Sequence, residues 1–181
     1  MNDSTLRNVP SLAFVALATL LLSAADAQPP PAGPDAEIAA LKAEIETLKG
    51  MLPTQAHVMV DVEYQFANLW FAAKNGNWPL ATFYLNETRG RLNWTLRIRP
   101  VRKLANGSDL DLRPILKGVE DSALAHLKAA VDKQDGTAFE AAYREMLTQC
   151  LACHVAVEKP FLKPQIPTAP ATSLIDLKKQ P

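Results

Sequence analysis

Cys150-Leu151-Ala152-Cys153-His154 contains the only two cysteines of the 181-residue chain. Their types and spacing suit one piece of chemistry. On a helix, thiols three residues apart sit nearly one turn apart. Both then reach the two vinyl groups of one porphyrin and can form thioethers. The next residue supplies an imidazole, whose nitrogen can ligate the iron from the proximal side. The C-x-x-C-H order therefore reads as a c-type haem attachment site, with Cys150 and Cys153 holding one covalent haem c and His154 as metal ligand.

Other uses of the same residues fit less well. A redox C-x-x-C sits at the start of a helix, where the dipole lowers the thiol pKa. This pair falls at the end of a helical pattern, where the dipole acts the other way. Structural zinc needs four ligands, and only His57 and His126 remain as distant histidines. A disulfide across two intervening residues is strained and leaves His154 without a role. The blandest reading is two cysteines with a chance histidine.

The start of the chain agrees with haem attachment outside the cytoplasm. Residues 1–27 have the parts of a secretory leader: Arg7, the apolar run Leu12 to Leu22, and the A-x-A site Ala25-Asp26-Ala27. The expected location is the periplasm. The uncharged run from Val9 to Ala25 is marginal for a spanning helix, so membrane association is expected only if the leader stays uncleaved. The remainder of the chain is long enough for about one domain. A formal net charge of zero gives no electrostatic case for nucleic acid. The sequons at Asn86 and Asn93 read as chance matches.

The elements that must position the motif are helical. Residues 28–34 form a Pro-rich linker. Residues 35–52 carry Ile38, Leu41, Ile45, Leu48 and Leu52 in an a/d heptad pattern, with β-branched Ile at a and Leu at d. Glu37 and Glu44 occupy g, and Lys42 and Lys49 the following e positions. That is the pattern of a parallel two-stranded coil, and self-association through 35–52 is expected. An amphipathic helix folded onto its own domain is the alternative.

From Pro53 four further helices are expected. The first, Thr54 to Lys74, has Met59, Val62, Phe66, Leu69, Trp70 and Ala73 on one stripe. The second runs from Trp78 to Arg99, with Leu85, Thr88, Leu92 and Leu96 inward and Leu80 and Phe83 helping at its start. A loop over 104–109 leads to the third, from near Asp111 to Lys133, interrupted at Asp121-Ser122 with Ser122 as a second cap. The capping box Thr137-Ala138-Phe139-Glu140 opens the fourth. In it Phe139, Tyr143, Met146, Cys150 and Cys153 follow at helical spacing. Residues 159–181 form a Pro-rich extended tail. No strand pattern, Gly-rich phosphate loop, nucleophile elbow or internal repeat stands out.

The expected fold class is all-α, an antiparallel four-helix bundle over 53–158, preceded by the short heptad helix. A C-x-x-C-H on the last helix of such a fold resembles the class II c-type cytochromes, the cytochrome c-prime group. The resemblance rests on that motif and its position; the heptad segment, the tail and Trp78 to Tyr84 depart from the family's core.

In an antiparallel bundle the end of the last helix lies level with the start of the first. Met59 then becomes the candidate sixth ligand, and a Met/His pair gives a higher-potential iron suited to electron transfer. Core packing is the plain alternative for Met59. His57, roughly 200° from it round the helix, is a rival, and His126 reads as a surface histidine. Arg97 and Arg99, with Arg102 and Lys103, fall at the same end. They are candidates to pair with haem propionates or to steer an acidic redox partner. A basic helix end complementing its own dipole explains them equally. The function expected is periplasmic electron transfer. The resemblance implies the alternative, a five-coordinate gas-binding haem protein with Val62 or Phe66 crowding the distal side. An enzyme such as a peroxidase ranks last, because no distal His-Arg pair is in place.

Overall fold

Aromatic side chains from two helices form the centre of the fold. The Phe66 and Tyr143 rings stack with centroids 4.1 Å apart and planes within 1°. The buried Tyr143 hydroxyl donates to the Phe66 carbonyl at 2.9 Å. Trp70 packs on Tyr143 at 4.9 Å and on Phe139 at 6.0 Å. A phenol this deeply buried needs a partner for its hydroxyl, and the Phe66 carbonyl serves.

The computed structural model describes residues 33–179. The expected leader, residues 1–27, and most of the Pro-rich linker lie outside the described residues. Two compact units divide at Gly50 and Met51. The first contains α1 (Pro34–Met51), which buries no residue.

The second unit is mostly helical. α2 (Gln55–Lys74) starts at Thr54, whose hydroxyl accepts from the His57 backbone N–H at 3.3 Å. Its inward stripe is Val58, Val62, Phe66, Leu69, Trp70 and Ala73. Val58 takes the buried place one turn before Val62, and Met59 flanks it half-buried against the core. Gly76, at φ +69°, turns the chain where a side chain would be strained. Asn77 then caps α3 (Trp78–Ile98) by accepting from the Leu80 N–H at 3.2 Å.

α3 buries Ala81, Tyr84, Leu85, Thr88, Leu92 and Thr95. The two threonine hydroxyls are satisfied four residues back, on the Tyr84 and Arg91 carbonyls. Leu96 is only half-buried and Phe83 is 53% exposed, so Phe83 does not join the inner face as expected.

An all-helical chain is corrected at one place. Val101–Lys103 (β1) and Asp109–Asp111 (β2) form a small antiparallel sheet, pairing Val101 with Asp111 and Lys103 with Asp109. Its signal lies within the expected loop. Asn106-Gly107 closes a tight hairpin, with the Gly107 N–H donating to the Leu104 carbonyl at 2.9 Å and Gly107 at φ +83°.

The third helical stretch begins after this sheet. α4 (Arg113–Val119) passes through a π turn (Glu120–Leu124) into α5 (Ala125–Asp132) without a break. Ser122 is no cap; its hydroxyl donates to the Gly118 carbonyl at 2.7 Å. The expected interruption is instead one wide turn, which brings Val119, Ala123, Leu124, Leu127 and Val131 to one buried face.

α6 (Gly136–Ala156) is capped by Asp135, whose carboxylate accepts from the Ala138 N–H at 3.0 Å, rather than by the Thr137 box. Phe139, Ala142, Tyr143 and Met146 form its inner face. α2 lies closest to α3 and also packs on α6, and α5 packs on α3 and α6.

The tail after α6 has no regular element but is anchored. Ile166 packs on the core and Leu177 is buried. The Ala171 N–H donates to Asn68 Oδ1 at 3.0 Å, and Asn77 Nδ2 donates to the Lys178 carbonyl at 2.8 Å. The tail thus runs beside α2 in the same chain direction. Asn68, fully buried on α2, exists to meet it. Asn68 Nδ2 and Gln65 Oε1, three residues apart on that helix, are buried without a hydrogen-bond partner among the described residues.

Candidate functional site

Cys150, Cys153 and His154 occupy the last two turns of α6. Cys150 packs against the core, and Cys153 and His154 are half-buried. Phe139, Tyr143 and Met146 of the inner face lead directly into Cys150. Periodicity alone therefore sets which way the thiols turn.

The helix stops just past the motif. Val157, Glu158 and Lys159 N–H groups close back on the Cys153, Val155 and His154 carbonyls, at 3.0, 3.0 and 2.7 Å. Glu158 takes φ +60°. Its carboxylate accepts from the Ala105 N–H at 2.7 Å and so ties the hairpin tip to the end of α6. The chain then doubles back through the Leu162 N–H to Lys159 carbonyl bond at 3.0 Å.

That turn brings the Leu162 carbonyl to 2.5 Å from His154 Nδ1. A carbonyl only accepts, so Nδ1 carries the proton and donates. The lone pair of the neutral ring is therefore on Nε2. This is the outer support commonly found behind a metal-bound histidine.

Both thiols are held in the neutral form. Burial, with a smaller contribution from Cys153, pushes Cys150 up to about 12. Burial also raises Cys153. A thiol that resists ionisation is a poor attacking group in disulfide exchange. Neither cysteine is in a disulfide. Among the described residues no group of three or more His, Cys, Asp or Glu is placed to hold a bare metal ion. The zinc alternative is not assembled: His57 is exposed beside Thr54, and His126 is exposed with Nδ1 2.8 Å from Glu145. The donor set suits a group that brings its own metal and needs two alkylable sulfurs and one imidazole. Haem c is such a group.

α2 and α6 run antiparallel, with Phe66 opposite Tyr143 and Trp70 opposite Phe139. Met59 and Cys150 both pack against the core cluster built around these rings. No sequence motif singles out Gln55, yet it joins three elements here. Its Nε2 donates to the Arg99 carbonyl at 3.0 Å and its Oε1 accepts from Arg102 at 2.9 Å.

The basic cluster is partly engaged by the protein itself. Arg99 Nη2 donates to the Leu52 carbonyl at 3.3 Å, and Lys103 pairs with Asp109 at 3.3 Å. Arg97 is exposed on the last turn of α3. Val62 and Phe66 are both buried, and Phe66 is committed to Tyr143. Around the motif Val155, Phe161 and Leu162 are exposed at 53%, 73% and 48%. Lys159 lies over the Phe161 ring at 5.7 Å. The role of Leu162 has no sequence signal, because it acts through its backbone.

Two surface clefts, of about 290 and 370 Å³, lie elsewhere. One opens between α3 and the π turn at Arg89 and Glu120, the other beside His126 and Glu145. Both are shallow and rimmed by charges, without the convergent polar groups of a ligand site.

No protein-family model, curated protein or solved structure matches this chain.

Proposed function

We propose that this chain is a c-type cytochrome with a four-helix-bundle body of the class II kind, carrying one covalent haem c and working as a periplasmic electron carrier. The observation that carries the reading is the His154 tautomer. Nδ1 donates to the Leu162 carbonyl, which in the neutral ring leaves the Nε2 lone pair for a metal, on a histidine that directly follows two cysteines in the C-x-x-C-H order.

Cys150 and Cys153 would hold the group. Each thiol would add, sulfur and hydrogen together, across one vinyl double bond of the porphyrin, an addition that needs no oxidant. His154 Nε2 would ligate the metal. When bound, haem supplies reversible one-electron exchange at its iron. Met59, which packs against the same core as Cys150, is the proposed sixth ligand. Arg97, exposed on the last turn of α3, would be the residue of the basic cluster to meet an anionic propionate or an acidic partner. The exposed apolar edge of Val155, Phe161 and Leu162, with Lys159 and Lys163 around it, suits a transient contact with a redox protein that donates or accepts the electron.

The test is intact mass under denaturing conditions, with an absorption spectrum, after expression in a host able to perform c-type maturation. The expected result is one haem retained through denaturation, and its loss when Cys150 and Cys153 are both replaced by Ala. A colourless product without added mass would end this reading.

A further inference from the structure

We propose that α1 is a dimerisation element, through which two copies of this chain pair as a parallel, in-register, two-stranded coiled coil. α1 is 18 residues long and buries none of them. Most helical stability in proteins comes from packing an apolar face rather than from propensity, and α1 buries none of its own. Ile38, Leu41, Ile45 and Leu48 form one apolar stripe, exposed at 48%, 58%, 48% and 54%. Such a continuous seam marks an interaction surface.

The charges beside the seam select the occupant. Glu37 and Glu44 lie at g, and Lys42 and Lys49 at the following e positions. In a parallel pair, each g faces an e of the other copy, so Glu37 meets Lys42 and Glu44 meets Lys49 twice over. In an antiparallel pair, g faces g and e faces e, setting glutamate against glutamate and lysine against lysine. The chain is therefore complementary to itself in one orientation only. Ile at a and Leu at d fit two strands rather than three or four. Both a positions within the helix, 38 and 45, are apolar, so no buried polar residue shifts the register.

Sedimentation velocity on the purified full chain, from low to high micromolar concentration, tests this without reference to haem. The expected result is a concentration-dependent equilibrium between one and two protomers. Glu37→Lys with Glu44→Lys leaves both flanks basic and gives monomer. Lys42→Glu with Lys49→Glu leaves both flanks acidic and also gives monomer. An equimolar mixture of the two variants restores a dimer with one chain of each kind. Orientation is read separately with Leu48→Cys, which forms a 48-to-48 disulfide in the parallel pair but not in the antiparallel one. A monomer at every concentration overturns the proposal. So does an assembly of three or more chains, a dimer indifferent to the charge reversals, a mixture that stays monomeric, or failure of the 48-to-48 bond in a dimer.

Discussion

His154 Nδ1 and the Leu162 carbonyl oxygen are 2.5 Å apart, joined across eight residues by the turn that ends α6. A backbone acceptor at this place makes the imidazole a stronger electron donor through Nε2. It also links the ring to the tail, since Leu162 is followed by the anchored residues Ile166, Ala171 and Leu177.

Removing residues 160–181 eliminates that acceptor. On the proposed function, His154 then donates less to an oxidised iron, and the midpoint potential rises. Potentiometric titration of the truncated and full chains is the measurement. Equal potentials would show that the Leu162 carbonyl has no influence on the site.

Replacing Met59 with Leu conserves volume at a half-buried place, with a cost below about 1.5 kcal/mol. The fold is expected to stay intact. The absorption and resonance Raman spectra are expected to change from low-spin to high-spin, and the methionine-sulfur charge-transfer band to disappear. A low-spin spectrum that survives the substitution removes Met59 as ligand. A parent spectrum that is already high-spin and binds CO without displacing a ligand favours the gas-binding alternative.

Haem-free protein tests the thiol environment directly. Burial favours the neutral Cys150 thiol, pushed up to about 12. At pH 8 its thiolate is then about a thousandfold rarer than that of an ordinary thiol. Alkylation of Cys150 is expected to be correspondingly slow and to accelerate as pH rises toward 12. The linkage has a definite sign. The folded thiol holds its proton more tightly than the unfolded one, so the haem-free fold is at full strength below the ordinary thiol range and weakens from there up to about 12. Cys150→Ala flattens that alkaline loss in a denaturation series; an unchanged slope would place its origin elsewhere. In haem-loaded material neither cysteine alkylates, even in denaturant.

Asn68→Ala removes a fully buried amide whose Oδ1 accepts from the Ala171 N–H at 3.0 Å. The stranded N–H is expected to cost about 1–3 kcal/mol. The accompanying sign is faster proteolysis within residues 165–179. Loss of stability with no change in tail cleavage would mean that Asn68 supports α2 alone.

The parts of this chain that are legible in sequence are those governed by period and by local caps. The stripe from Val62 to Ala73 and the run from Phe139 to Cys153 follow helical spacing, and burial agrees as far as Met146, with Cys150 at the edge of the core. Prolines and asparagines mark the ends of α2 and α3. The hairpin at Asn106-Gly107 escapes a sequence reading because its strands are three residues each, too short to display alternation. Asp135, two residues before Thr137, caps the helix first by accepting from the Ala138 N–H, which leaves Thr137 inside the first turn. The contribution of the tail is hidden for a different reason. Leu162, Ala171 and Lys178 act through main-chain atoms, which every residue has, and no side-chain type announces them.

The tail's anchors also bear on the order in which the molecule assembles. Asn68 to Ala171 spans 103 residues and Asn77 to Lys178 spans 101. Contacts separated by so much chain carry the largest closure entropy and arrive after local helices. The C-terminal strap is therefore the final piece to seat. Until it does, the imidazole of His154 lacks the Leu162 carbonyl that holds its Nδ1. On the proposed function, haem attachment to Cys150 and Cys153 would precede that closure.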